Sequence, residues 1–211
     1  MPAQAPYGPD EFQADTNVSR ETIERLEAYL ALLAKWQEKV NLVGISTMPD
    51  AWRRHFLDSA QLLKYIPDLD RPIVDLGSGA GFPGLVLAVM GAPRVHLVES
   101  NVRKCVFLRE AARATGAHVT VVNRRIEAAA WSISADVVCS RACANLSHLI
   151  GWARDMLTQD GVCLFHKGQY VDRELTESQK KWTMACKSHP SLSDPGGVIL
   201  EISGIGHRHD H

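Results

Sequence analysis

The residues from Ile73 to Gly84, Ile-Val-Asp-Leu-Gly-Ser-Gly-Ala-Gly-Phe-Pro-Gly, constrain the fold of this chain more than any other stretch. A short apolar run, Ile73 to Leu76, enters glycines at the alternate positions 77, 79 and 81, and a second apolar run follows from Leu85 to Met90. Lacking a Cβ, glycine lets the backbone take left-handed conformations and approach a ligand closely. Pro83 suits the first turn of a helix, where its missing N–H is not needed. A strand, such a loop and a helix N-terminus form the opening unit of a doubly wound parallel sheet.

Gly79 to Gly84 also satisfies the G-x-G-x-x-G pattern of dinucleotide-binding loops, and that match alone is weak. Asp75 argues for a different ligand. At the strand's carboxyl end its carboxylate is expected beside the loop, where a pyrophosphate would meet like charge. S-adenosylmethionine, with a sulfonium and an ammonium and no phosphate, fits an acid there. Glu99, closing the apolar run Val95 to Val98, is placed for ribose hydroxyls in either case. An NAD-dependent oxidoreductase therefore stays open at this point.

Around this loop the chain alternates strand and helix signals, the pattern of an α/β parallel sheet. Strands are expected over Pro72–Leu76, Arg94–Glu99, His118–Asn123, Ala135–Ser140 and Gly161–His166. Helices are expected over Pro83–Gly91, Asn101–Thr115, Leu146–Leu157 and Val171–Lys181, with a turn near Ile126–Trp131. Apolar runs at Trp182–Cys186 and Val198–Ile202, separated by a Pro/Gly turn, suggest a terminal antiparallel hairpin. Ligands of such sheets bind at the carboxyl ends of strands, which gathers Asp75, Gly77, Glu99, Ile126, Glu127, Ser140 and Arg141 at one rim.

Ahead of the sheet, Ser19 can cap a helix with Ile23, Leu26, Leu30 and Leu33 at helical spacing, ending near Val40. A second helix is expected from Asp50 to Tyr65, with Trp52, Phe56 and Leu63 inward and Arg54, His55 and Asp58 on another face. The expected organisation is a loose tail over 1–15, a helical extension over 16–68, the main domain over 69–205 and a loose, histidine-bearing tail over 206–211.

Composition narrows the class. With 45% hydrophobic and 22% charged residues among 211, the chain reads as one soluble domain, and no apolar stretch approaches a membrane span. Five cysteines without a C-x-x-C pair read as reduced thiols, so no metal framework is expected and the cytoplasm is the expected compartment. A net charge of −1 argues against indiscriminate coating of nucleic acid while leaving room for a local basic face.

Taken together, several motifs resemble the bacterial ribosomal RNA small subunit methyltransferase G family, also called glucose-inhibited division protein B. They are Asn41-Leu42, Arg54-His55-Phe56-Leu57-Asp58-Ser59, the loop ending Gly81-Phe82-Pro83-Gly84, Glu99-Ser100-Asn101-Val102-Arg103-Lys104 with Phe107-Leu108, Ser140-Arg141-Ala142, and Lys167-Gly168. The resemblance spans about Leu26 to Gly168. Cys143 departs from it, since the family often has Phe there, and the tail after Ile205 matches no pattern.

The resemblance implies a Rossmann-like, seven-stranded S-adenosylmethionine-dependent methyltransferase fold with a small N-terminal helical extension. The implied reaction moves a methyl group to N7 of one guanine in 16S ribosomal RNA, free or in an assembling small subunit, by a protein expected to be a monomer. The implied cofactor contacts are Gly77, Phe82, Ile126-Glu127 and Arg141, beside Asp75, Gly79, Gly81 and Glu99 from the loop argument. Guanine N7 carries a lone pair and no proton, so the reaction needs positioning and charge management rather than a general base. Asp58 and Glu127 are candidates for stabilising the developing charge, and Arg141 for pairing with a ligand anion or clamping Asp58 or Glu127. Arg53, Arg54, Arg103, Lys104, Arg124 and Lys167 are candidate phosphate contacts. A catalytically silent RNA-binding assembly factor is the non-enzyme alternative.

Overall fold

The computed structural model describes residues 6–128 and 131–208. Its frame is a seven-stranded sheet in the order β3-β2-β1-β4-β5-β7-β6. The strands are β1 (Ile73–Leu76), β2 (Val95–Glu99), β3 (Val119–Asn123), β4 (Ala135–Arg141), β5 (Leu157–Lys167), β6 (Trp182–Pro190) and β7 (Val198–His207). The first five are parallel, β7 is antiparallel to β5, and β6 closes the edge antiparallel to β7. From β1 the chain steps outward to β2 and β3, then returns to place β4 on the other side of β1. That reversal opens a crevice at the carboxyl ends of β1 and β4.

Both faces of the sheet are covered, which is why the central strands are nearly continuous apolar runs instead of alternating ones. All four residues of β1 are buried. One face carries α2 (Arg20–Gln37), α4 (Gly84–Val89) and α5 (Val102–Thr115); the other carries α6 (Leu146–Arg154) and α7 (Val171–Gln179). Local chemistry starts the helices. Ser19 Oγ accepts from Thr22 N at 3.1 Å, and Asn101 Oδ1 accepts from Arg103 N and Lys104 N. Gly116, at φ 63°, ends α5.

The helical extension departs from expectation in three ways. Residues 9–15, expected as loose tail, belong to α1 (Pro9–Thr16), whose Phe12 is fully buried against Trp52 with ring centroids 5.4 Å apart. One deeply buried aromatic is enough to dock a short helix that composition alone marks as a tail. Residues 1–5 of that tail lie outside the described residues. The single helix expected over Asp50–Tyr65 is a chain of tight and wide turns: 3₁₀ geometry over Ile45–Asp50, π geometry over Trp52–Leu57, one α turn α3 (Asp58–Ala60), and 3₁₀ again over Gln61–Tyr65. α2 ends at Gln37, short of Val40.

At the carboxyl end, the hairpin is longer than expected. β7 runs to His207 and its neighbour Arg208 still donates a backbone bond to Lys181, so the expected tail from 206 is partly strand. Residues 209–211 lie outside the described residues. α6 stops at Arg154, and Leu157 already pairs with Ala135 in the sheet.

Candidate active site

The glycine loop follows β1 with Gly77, Gly79 and Gly81 all left-handed, at φ 69°, 56° and 93°. Their tasks differ. A Cβ on Gly77 would run into Cys143 Sγ, whereas one on Gly79 meets nothing closer than Gly77 O at 3.7 Å and would stand in the crevice. Gly81 does not line the crevice. A Cβ there would lie 2.5 Å from the Tyr29 hydroxyl, so Gly81 is the place where the loop packs against α2. Tyr29 secures that packing by donating its hydroxyl hydrogen to Ala80 O.

Asp75 is not where the sequence argument put it. Its side chain is fully buried beneath the loop and Oδ2 accepts from Gly84 N at 3.1 Å. Oδ1 has no hydrogen-bond partner, and burial pushes the carboxyl up to about 7. Alternating strand residues point to opposite faces, and position 75 points under α4, out of the crevice. Asp75 therefore pins the loop to the helix and offers no surface to a ligand, so its charge does not discriminate between cofactors. Glu99 does reach the loop: Oε2 accepts from Gly79 N at 3.0 Å and Oε1 from Asn101 N at 2.7 Å. Each oxygen keeps lone-pair capacity for a ribose hydroxyl. Ile126 packs near Gly77, and Glu127 is exposed just beyond.

The crevice has a cavity volume of about 760 Å³. Its floor is the loop, and its far wall comes from the helical extension and the 191–198 turn. Arg141, at the end of β4, ties these parts together. Nη1 donates to Arg54 O at 2.8 Å and to Asp58 Oδ2 at 3.2 Å, Nη2 donates to His55 Nδ1 at 3.0 Å, and the guanidinium lies 5.0 Å above the Phe82 ring.

These contacts fix the state of His55. A nitrogen receiving a guanidinium N–H carries no proton, so Nε2 holds the proton and donates to Thr47 Oγ1 at 2.8 Å. Burial and the adjacent Arg141 push His55 down to about 3, consistent with that neutral form. Its ring stacks on Phe82, and Phe82 stacks in turn on Tyr29, so Phe82 is 3% exposed.

Asp58 is fully engaged. Besides Arg141, it accepts from Gln61 Nε2 at 3.0 Å and from the Ser193 hydroxyl, and its backbone carbonyl accepts from His166 Nε2 at 2.7 Å. Arg141 thus clamps Asp58, and Glu127 is not part of that clamp.

The expected cations separate into three groups. Lys167 is turned inward: Nζ donates to Ala144 O and to Glu174 Oε2 at 2.7 Å, and the side chain is 8% exposed, so it is a structural ion pair rather than a phosphate contact. Arg53 is likewise packed, its guanidinium 4.7 Å above the Tyr7 ring and its Nε 3.6 Å from Asp50. Arg54 lines the crevice paired with Asp194 at 2.9 Å, and Arg124 is exposed over Trp131. Arg103 is exposed at the start of α5, and Lys104 lines the crevice. The six do not form one surface.

A family model described as rRNA small subunit methyltransferase G matches residues 22–196. The chain belongs to this family. The curated ribosomal RNA small subunit methyltransferase G of Paramagnetospirillum magneticum is 57% identical, over 94% of this chain and 96% of the relative. That of Rhodospirillum rubrum is 54% identical over 93% and 98%. Solved structures place the fold among S-adenosylmethionine-dependent methyltransferases. The glycopeptide N-methyltransferase MtfA in complex with S-adenosylmethionine aligns with a TM-score of 0.56 over 70% of this chain and 93% of that chain, at 13% identity. A ribosomal protein L11 methylase from Lactobacillus delbrueckii aligns at 0.55 over 72% and 78%, at 16% identity.

Within this family member, the residues that sequence reasoning missed line the crevice wall, Thr47, His166, Glu174, Ser193 and Asp194, or back it, Gln61. His166 had a legible signal, since it closes the apolar run of β5 as Arg141 closes that of β4. Thr47 and Gln61 stand in 3₁₀ segments of the helical extension, Glu174 on α7, and Ser193 and Asp194 in the turn before β7; the wall joins segments more than a hundred residues apart, and no local pattern marks it.

Proposed function

We propose that the chain transfers the methyl group of S-adenosylmethionine to N7 of a guanine in 16S ribosomal RNA, as its family membership implies. The observation that carries this reading is the crevice at the β1/β4 switch point, lined by Gly77 and Gly79, with the Glu99 carboxylate bonded to the Gly79 backbone beside it. Glu99 would hold the ribose hydroxyls, Ile126 and Glu127 would hold the adenine, and the backbone at Gly77 and Gly79 would leave room for the methionine end. When bound, the cofactor supplies the electrophilic methyl.

Nothing in the wall needs to remove a proton. His55 is neutral and hydrogen-bonded through both nitrogens, and Asp58 is ion-paired with Arg141, as suits an acceptor atom with a free lone pair. Arg141 and Asp58 act by positioning: they hold the helical extension at a fixed distance from the loop and so set the width of the slot that admits the base. Lys104, lining the crevice, and Arg103 beside it supply phosphate contacts at the mouth.

The test is transfer of a labelled methyl group to purified small-subunit RNA, with the modified base mapped by chemical cleavage and primer extension. Label on an exocyclic amine or a ribose would sink the N7 assignment. Absence of label on free RNA and on small-subunit particles alike would favour a silent assembly factor.

A further inference from the structure

Helix α5 begins at the mouth of the crevice and runs away from it with a solvent face that neither the crevice nor the core uses. At about 100° per residue, Val102, Val106, Arg109 and Arg113 fall within roughly 60° of one another along about 16 Å of helix. Val102 and Val106 are 64% and 46% exposed, two of the few large apolar side chains left in solvent among the described residues. Arg109 and Arg113 are exposed, with Arg103 on the flank. None of these three arginines holds a carboxylate, whereas Arg20, Arg54, Arg71 and Arg154 each do. The one acid on α5, Glu110, is turned to the α2 side, where it accepts from Trp36 Nε1 at 3.0 Å.

We infer that this face of α5 is a docking track for the RNA that feeds the crevice, with Arg109 and Arg113 on phosphates and Val102 and Val106 against sugars. The inference rests on the methyltransferase reading for its choice of partner. Three observations support RNA as the occupant. The stripe starts on the first turn of α5, beside the crevice that Lys104 lines from the opposite side of the same turn. It contains no acid, in a chain whose net charge is −1, so it does not follow from overall basicity. Its cations are also unneutralised, the condition under which they release counterions from a phosphate backbone.

The test compares the salt dependence of binding to small-subunit RNA for the wild type, the double variant Arg109→Gln/Arg113→Gln, and a control, Arg71→Gln/Arg154→Gln, that removes two exposed but paired arginines. Each lost phosphate contact should reduce the slope of log K against log salt by about 0.7 to 0.9, so the double variant should be shallower by about 1.4 to 1.8 while the control keeps the wild-type slope. Calorimetric affinity for S-adenosylmethionine should be the same in all three. A wild-type slope in the double variant, or an equal change in the control, overturns the inference. A wild-type slope on naked RNA combined with lost methylation of small-subunit particles would reassign the face to a ribosomal protein and overturn it as well. If the double variant flattens the slope but wild-type protein methylates no RNA, the track stands and the methyltransferase reading falls.

Discussion

Arg141 and Asp75 are both charged residues at the ends of central strands, and their environments give them opposite tasks. The Arg141 fork meets a carbonyl, a carboxylate and an imidazole nitrogen at once. Lysine keeps the charge but cannot reach three partners in one plane. Arg141→Lys should therefore lower stability by about 2 kcal/mol, because it leaves buried acceptors unpaired, and should lower methyl transfer with it. Urea unfolding and single-turnover methylation measured on the same protein check this; full stability with lost activity would instead make Arg141 a ligand contact. Asp75 ionises near 3.8 in an unfolded chain and near 7 here. Between those values the folded chain holds a proton that the unfolded chain has released, so stability is highest below the lower value. It falls as pH rises toward the upper one, by about 4 kcal/mol at ~1.4 kcal/mol per unit. Asp75→Asn keeps an acceptor for Gly84 N and should flatten the fall. Urea midpoints near pH 5 and pH 8 would show it, and an equal fall in both proteins would remove Asp75 as its source.

At the scale of elements, the glycine loop is held from three sides: by Glu99 from β2, Tyr29 from α2 and Cys143 from the turn after β4. Substitutions in it should accordingly not behave alike. Gly79→Ala adds a methyl group in open space at a strained φ, so it should cost about 1 kcal/mol and abolish cofactor affinity. Gly77→Ala drives a methyl group into Cys143 and should destabilise more, with part of the loss recovered in Gly77→Ala/Cys143→Gly. Thermal denaturation of the three variants decides this; no recovery in the double variant would mean that Cys143 is not the obstacle. The π turn over Trp52–Leu57 belongs to the same scale. It is backed by Phe12 of α1 and presents Arg54 O and His55 to Arg141, so α1 supports the crevice wall through a chain of tilted and edge-on aromatic contacts, Phe12–Trp52–Phe56–Phe82.

For the whole molecule, the crevice exists because the sheet reverses direction at β1, and it is closed off by two segments distant in sequence. The 191–194 turn is bonded to the helical extension by Leu192 N to Gln61 Oε1, by Ser193 to Asp58 and by Arg54 to Asp194. A ligand seated between these bodies stabilises all of them together. S-adenosylmethionine at one hundred times its dissociation constant should raise unfolding free energy by about 2.7 kcal/mol, and NAD should leave it unchanged. A thermal shift with NAD and none with S-adenosylmethionine would restore the dinucleotide reading of the loop.

The sequence by itself determined the alternation of elements, the position of the glycine loop, the terminal hairpin and the rim on which Glu99 and Arg141 stand. These follow from period, run length and turn residues within a dozen positions, and such local signals survive translation into structure because the central strands are buried on both faces. Tertiary structure alone decided which way a charged side chain turns and what meets it. Asp75 went under α4, Lys167 to Glu174 and Arg53 over the Tyr7 ring. It also decided that Phe12 docks a helix where composition indicated a tail. A buried or paired charge depends on a partner brought from elsewhere in the chain, and the free energy that selects that partner, desolvation against hydrogen bonding, has no local trace in the order of residues.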